Sequence, residues 1–482
     1  MAKNKSPGLD GLSLEFYQMF WADIEHILVK ALNENFVNGT MSNSQKVGVI
    51  SLIHKKGEES DLKNWRPITL LNYDYKIMAT VIAHRFQKVL KTIVNENQVG
   101  YMKGRLSGYN IRFTQDLCQW IETREMSCAI MYVDFTKAFD MIEIDFIKNA
   151  LKAFNFGPDM LRWAELMYKG IVSSVIVNGR ISNQFGVSRG IRQGCPVSAL
   201  LFILAVEILS NRIRGEKNIE GVSFNDELHG GEIKVLQYAD DTTLFLKNKK
   251  SMEIALKELE KFEKVAGPSV NKSKTVVKWI SGKKCTCKWD ISDIDLQWEE
   301  KPVKYLGVYI DTNEKDVVML NWENKLKKIQ RLIDNWRKRN LTLIGRVLII
   351  KSLLISQIVH ILMFCAVPDE IISKLNKLIY SFLWNSKVDK IKRSVVVKRQ
   401  ELGGLKMIDV KRVVESFRLK WLGLIMNESV GMWKPLCLLW LRSLGGIDLL
   451  LKCNYDNTVI KEDFVAKIPA FYINTTQKES SP

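Results

Sequence analysis

Apolar residues recur along the chain at two different spacings, and the places where the spacing changes mark out its elements. In 12–37, Leu14, Tyr17, Phe20, Trp21, Ile24 and Ile27 return every three or four positions, which predicts one helix. VGVISLIHKKG (47–57) reads as a strand running into a basic turn. In 64–93, Pro67 is expected to break structure after Arg66, and Ile77, Val81, Ile82, Phe86 and Leu90 then carry a long amphipathic helix. Another helix is expected at 110–124. CAIMYVDF (128–135) is an unbroken apolar run ending on an acid, the pattern of a strand buried on both faces. Residues 173–194 alternate around Asn178-Gly179, a hairpin signal. The stretch 196–213 opens with Pro at the first helical position and continues as a largely buried helix. QYADDTTLFL (237–246) places a turn between two apolar β-runs. An amphipathic helix at 251–266 stops at Gly267-Pro268, and VKYLGVYI (303–310) reads as one short strand.

Beyond about residue 311 the pattern becomes helical. Trp322, Leu326, Ile329, Ile333 and Trp336 line one face of 321–340, with both tryptophans expected in a core, while Lys and Arg dominate the rest. Further helices are predicted at 344–364, 369–384 and 409–427, and the tail after Pro469 is polar and expected to be loose. The expected class is therefore α+β, a mixed half followed by a basic helical half.

Composition narrows the partners. With 71 Lys+Arg against 53 Asp+Glu, the net charge of +18 favours a polyanion, and counterion release from phosphates would drive the binding. A hydrophobic fraction of 46% is enough for substantial cores. The eight cysteines include a CxC pair, Cys285 and Cys287, but no zinc spacing, so the chain reads as reduced and intracellular, in nucleus or cytoplasm. Charges interrupt the apolar stretches, Glu207 after CPVSALLFILAV and Arg346 and Lys351 within 341–367, so no membrane span is expected. The glycosylation-like triplets at Asn38 and Asn474 read as chance matches.

The candidate chemistry lies in the acids. Asp240 and Asp241 are adjacent at a turn flanked by apolar strands, and a third acid, Asp134, ends another such strand. Adjacent buried carboxylates repel unless a cation lies between them. Three oxygen donors from a strand end and a hairpin tip suit two hard divalent ions, which can clamp the attacking and leaving oxygens of a phosphoryl transfer. That combination points to a nucleotide polymerase.

Nine segments in order make a resemblance specific: SPGLDG (6–11), LIHKKG (52–57), NWRPITLLN (64–72), NQVGYMKGR (97–105), YVDFTKAFD (132–140), RQGCPVSALLF (192–202), YADD (238–241), NKSKT (271–275) and KYLGVYI (304–310). Together with similarity through 341–357, 382–384 and 403–409, the set resembles the reverse transcriptase of non-LTR retrotransposons over roughly 6 to 427. The resemblance implies a right-hand polymerase with fingers at 1–125, palm at 126–310, a helical thumb at 311–400 and a helical C-terminal extension at 401–482. It also implies that Asp134, Asp240 and Asp241 are the catalytic acids, holding two Mg²⁺ ions with Mn²⁺ as an alternative. Arg66 would fork onto the triphosphate of the dNTP, assisted by Lys55 or Lys56. Phe139 would gate the sugar, Gln193 and Gly194 would border the incoming nucleotide and template, and Lys274 would stand near the leaving group. Tyr305, Leu306 and Gly307 would form the primer-grip strand, although YLG equally suits an ordinary core.

The implied partners are an RNA template, a DNA primer and dNTPs, with RNA-binding or endonuclease functions supplied in trans. Leu9 and Ala199 stand where the family usually has proline, which loosens local backbone without removing a catalytic group. No endonuclease segment, zinc knuckle or RNase H acids are recognised. Two alternatives stay open: a group II intron type of reverse transcriptase, and a nucleic-acid-binding relic without chemistry.

Overall fold

A computed structural model describes the chain except for residues 2, 125, 225–230, 283–288, 291–293, 428–430, 443–444, 448–468, 470 and 473–482. The cysteine pair at 285 and 287, the triplet at Asn474 and most of the polar tail lie outside the described residues.

Two five-stranded sheets organise the first two thirds. In one, the order is Trp65–Leu70, Val47–His54, Val172–Val177, Arg180–Ile181, with Phe185–Gly186 also paired to Val172–Val177. Val47–His54 runs parallel to Val172–Val177 and antiparallel to Trp65–Leu70, so this sheet joins residues on both sides of position 125. Pro67 does not break structure as expected. It sits within Trp65–Leu70, opposite Leu52, on an edge strand where its missing N–H removes no ladder bond. Asn178 and Gly179, at φ 50° and 77°, turn the predicted hairpin and pair Val177 with Arg180.

The other sheet has the order Gln297–Trp298, Val276–Ser281, Ser127–Val133, Asp241–Leu246, Val235–Tyr238, antiparallel except at its first pair. Alternate side chains of this sheet enter different cores. Ala129, Met131, Val133, Leu244, Leu246 and Val277 face a core built with the Tyr73–Ile93, Ser198–Gly215 and Lys249–Ala266 helices. Cys128, Ile130, Phe245 and Ile280 face a second core with the Ser107–Thr123 and Trp433–Arg442 helices. Burial on both faces is why the run 128–133 is apolar without alternation.

A small core gathers Leu14, Tyr17 and Tyr73, and a larger one is helical, joining Glu314–Arg337, Asp369–Trp384 and Val410–Met426. Trp322 is fully buried and donates its indole N–H to the Ala366 carbonyl at 2.8 Å, and Trp336 packs at the margin of the same core. The predicted 344–364 helix is Leu343–Ile349, a π-helical turn Ile350–Leu354, then Ser356–Leu362. Among the described residues only Leu343–Leu362 is long and apolar enough to cross a membrane, and its Ile350, Leu354 and Ile358 are fully buried in this core.

Three further expectations change. The helix over 12–37 is two, Leu14–Met19 and Trp21–Asn38, divided at Phe20. Pro196 precedes its helix, which spans Ser198–Gly215. The strand over 303–310 is a hairpin of Val303–Tyr305 and Val308–Ile310, because Leu306 (φ 45°) and Gly307 (φ 88°) reverse the chain. Near the C-terminus, Phe471 and Tyr472 are buried rather than loose, and the Tyr472 hydroxyl donates to Asp116 of the buried Arg112–Asp116 pair.

Candidate active site

Strand register brings the acids together. Val133 pairs with Thr242, so Asp134 and Asp241 lie one step further along the same two strands. Tyr238 pairs with Asp241, leaving Ala239 and Asp240 as a two-residue turn with Ala239 at φ 56°. Asp134 is fixed from the other side: its N–H donates to Thr275 Oγ1 at 3.3 Å and its carbonyl accepts the Asn271 N–H at 2.7 Å. The same segment, 271–275, carries Lys274, which is exposed.

The three carboxylates act on one another. Asp240 is raised above the usual carboxylate range, first by burial, then by Asp134, against the pull of Lys55 and Arg66. Asp241 is pushed up to about 6 by its surroundings, then by Asp240 and Asp134, with Lys55 opposing. The residue keeps an exposed edge at the rim of the cleft, so loss of water around the carboxylate leads and repulsion from Asp240 and Asp134 adds to it. Among the described residues no three acidic, histidine or cysteine side chains converge as a ready-made metal cluster. Asp240 and Asp241, both raised by burial and by neighbouring carboxylates, stand one register step from Asp134, and oxygen donors of this kind suit a hard divalent ion.

The opposite wall is basic. Lys55 and Lys56 lie exposed at the turn between Val47–His54 and Trp65–Leu70, with the Lys55 N–H donating to the Asn64 carbonyl at 2.8 Å. Lys55 is the lysine of the two whose charge bears on both Asp240 and Asp241. Arg66, exposed opposite Ile53, bears on Asp240 and Asp140. Gln193 crosses between the walls: its carbonyl accepts the Thr69 N–H at 2.7 Å and its side-chain amide donates to Asp140 Oδ1 at 2.7 Å. Gly194, at φ 131°, passes so close to the Thr69 carbonyl that a Cβ would lie 2.4 Å from it, so only glycine fits. Cys195 is buried with its thiol 3.3 Å from the Tyr75 hydroxyl, a packing position.

Phe139 is half-buried and held flat against Phe202, with ring centroids 4.3 Å apart. Tyr101 meets it edge-on at 6.3 Å. Tyr305 goes elsewhere. Its ring is buried against Tyr132, 5.4 Å away, in the core behind the acids. Leu306 and Gly307 form the hairpin tip, where the Leu306 carbonyl is 2.9 Å from His360 Nε2.

Residues 53–310, more than half of the chain's 482, match the model of the family described as reverse transcriptase (RNA-dependent DNA polymerase). The chain belongs to that family. It is 31% identical over 87% of its length to the uncharacterized 149 kDa protein of transposon TX1 of Xenopus laevis, covering 32% of that protein. It is 23% identical over 88% of its length to the retrovirus-related Pol polyprotein from the type-2 retrotransposable element R2DM of Drosophila melanogaster, covering 40% of it. The chain thus spans about a third of the length of the curated relatives it matches. A solved telomerase from Candida tropicalis, in complex with a fragment of telomeric RNA, is 12% identical with a TM-score of 0.42 over 87% of this chain and 68% of that one. The relatives from TX1 and R2 agree with the resemblance to non-LTR retrotransposons. As a reverse transcriptase the chain has the right-hand α+β fold expected from its sequence, and the family uses divalent metal ions.

Sequence reading assigned no role to Gln98, Gly100 or Tyr101, although all three lie in the quoted segment 97–105. Their partners, the 235–239 strand and turn and Phe139, are distant in sequence, so no local spacing could reveal them.

Proposed function

We propose that this reverse transcriptase domain is an RNA-directed DNA polymerase that extends a DNA primer on an RNA template with dNTPs. The observation that carries this reading is one cleft in which strand register sets Asp134 beside Asp240 and Asp241, with Lys55 bearing on Asp240 and Asp241 and Arg66 on Asp240 from the facing sheet. Asp134, Asp240 and Asp241 are the residues that would hold two Mg²⁺ ions, or Mn²⁺, and such ions would supply electrostatic stabilisation to phosphoryl transfer.

The remaining roles follow from position. Arg66 and Lys55 present cations toward the acids, where a triphosphate needs neutralising, and Arg66 offers a planar fork for two phosphate oxygens. Lys56, at the exposed tip, would meet the outer phosphates, and Lys274 the leaving group. Phe139, immobilised by Phe202, can close the space a 2′-hydroxyl would need. Gln193 and Gly194, packed against Thr69 and Asp140 where the two walls meet, would border the incoming nucleotide and template. The first sheet corresponds to fingers, the acid-bearing sheet to palm, and the helical core to thumb and extension. Tyr305 supports the primer-grip hairpin from inside while Leu306 and Gly307 form the tip that would face the primer.

All three acids are present, which favours an enzyme over a silent binding relic. Primer extension on poly(rA)/oligo(dT) tests the reading: synthesis with Mg²⁺, none with EDTA. Asp240→Ala should abolish extension and leave template binding intact. A mutant that extends as well as the parent would refute the site.

A further inference from the structure

Ala239 is the strained point of the acid-bearing turn. It is a buried L-residue at φ 56°, directly before Asp240, where the left-handed conformation normally calls for glycine. Both polar groups of its backbone are taken by one side chain. Gln98, with no exposed surface, accepts the Ala239 N–H on Oε1 at 2.9 Å, and its Nε2 lies 3.4 Å from the Ala239 carbonyl. The same Oε1 accepts the Gly100 N–H at 2.8 Å, and Nε2 also lies 3.4 Å from Gln237 Oε1.

The loop that carries Gln98 is itself anchored. Residues 98 and 237 form a parallel bridge, flanked by hydrogen bonds from Val99 N–H to the Gln237 carbonyl (3.0 Å) and from Gln237 N–H to the Asn97 carbonyl (2.8 Å). Arg105 donates to the Gln98 carbonyl at 2.7 Å and to the Val94 carbonyl at 2.9 Å. Gln237 is held in turn by Ser210 at 2.6 Å and reaches Thr242 Oγ1 at 3.2 Å. A Cβ on Gly100 would lie 2.3 Å from the Ala239 nitrogen, so the loop backbone presses directly on the turn. A strained residue persists only where its surroundings over-determine it, and here they do so next to a catalytic acid.

We infer that Gln98 is a positioning residue: by holding Ala239 in its left-handed conformation it aims the Asp240 carboxylate at the metal. The inference rests on the polymerase reading for the identity of that metal, but its test does not require turnover. The probe is Mn²⁺ alone, titrated into the full chain with free Mn²⁺ followed by electron paramagnetic resonance. Gln98→Met keeps the side chain's length and removes its hydrogen bonds. It should weaken Mn²⁺ binding about tenfold or more, the usual cost of losing a residue that orients a metal ligand. Adding Ala239→Gly should restore most of the loss, because glycine takes φ near 56° without help.

A merely structural role would lower the melting temperature and leave Mn²⁺ affinity of the folded protein unchanged, and that result overturns the inference. So does a double variant no better than Gln98→Met, or a parent that binds no Mn²⁺. Should Gln98→Met not fold, Ala239→Val replaces it, since a β-branched residue resists positive φ while Gln98 stays intact. Undiminished Mn²⁺ binding in that variant is equally fatal. A parent that binds Mn²⁺ through Asp240 and extends no primer removes the polymerase reading alone.

Discussion

The two sheets meet at one cleft, yet they hold their charges in opposite ways. The acid-bearing sheet is packed on both faces, and the turn that presents Asp240 is fixed through the buried amides of Gln98 and Gln237. The basic sheet is partly open: Ile53, Val177, Ile181 and Phe185 are exposed, and Lys55 and Arg66 extend from a solvated hairpin. Carboxylates that must share a cation gain from rigidity, because misplacement of either weakens the whole site. Cations that neutralise a mobile, highly charged substrate can arrive on long flexible side chains and still do their work. The contrast is between pre-placed acids and adaptable cations.

The sharpest break is kinetic. Asp134→Ala or Asp240→Ala should lower the rate of single-nucleotide incorporation by on the order of 10³-fold or more, as for loss of a main electrostatic stabiliser. Lys55→Ala should cost only about tenfold, mostly as a higher KM for dNTP, since a flexible exposed cation contributes modestly. Equal losses at both walls in steady-state measurements would erase the distinction. The corresponding test of stability sets Phe245→Ala against Phe185→Ala. Phe245 is fully buried, so its truncation should cost about 3–5 kcal/mol in urea unfolding. Phe185 is 45% exposed, and its loss should stay within about 0.5 kcal/mol.

Arg66 refines the picture of the basic wall. Arg66→Lys keeps the charge and loses the fork, so kcat/KM should fall about tenfold, one charge-assisted hydrogen bond's worth. An unchanged value would reduce Arg66 to a point charge. On the acid side, Phe139→Val should raise ribonucleotide incorporation relative to deoxynucleotide, read in competition on the same primer. Phe202 holds the ring in place, so Phe202→Ala should relax the same discrimination to a smaller extent.

How much of this could be read from the chain alone follows the same division. The unbroken run 128–133 announced a strand buried on both faces, and Asn178-Gly179 announced its hairpin, because both signals are local. The acids were legible because two are adjacent and each ends an apolar run. Pro67 misled because edge strands tolerate proline, a fact of sheet order that no local pattern carries. YLG misled because a Leu at positive φ looks like any strand residue until its turn is seen. Tyr305 equally suited a grip or a core, and its burial beside the Tyr132 ring, a neighbour distant in sequence, is what no local pattern carries. Gln98 gave no signal in the sequence, since its hydrogen bonds to Ala239 span 141 positions.

The smallest expected effect probes what the acids do to the fold before any cation is added. Asp241 is raised from 3.8 to about 6, so the folded state binds its proton more tightly than the unfolded chain does. The resulting stabilisation is complete below the unfolded value and is lost as pH rises through 6. At pH 7.5 in EDTA the ionised Asp241 therefore faces Asp240 and Asp134 with only Lys55 in opposition. Asp241→Asn imitates the protonated form, so it should melt slightly higher than the parent at that pH. The gap should close as pH falls from about 6 to about 4, where the parent takes up the proton itself. Mg²⁺ at pH 7.5 should close it from the other direction by stabilising the parent alone. A gap independent of both pH and Mg²⁺ would mean that the three carboxylates do not act on one another, and the contrast between the two walls would lose its acidic half.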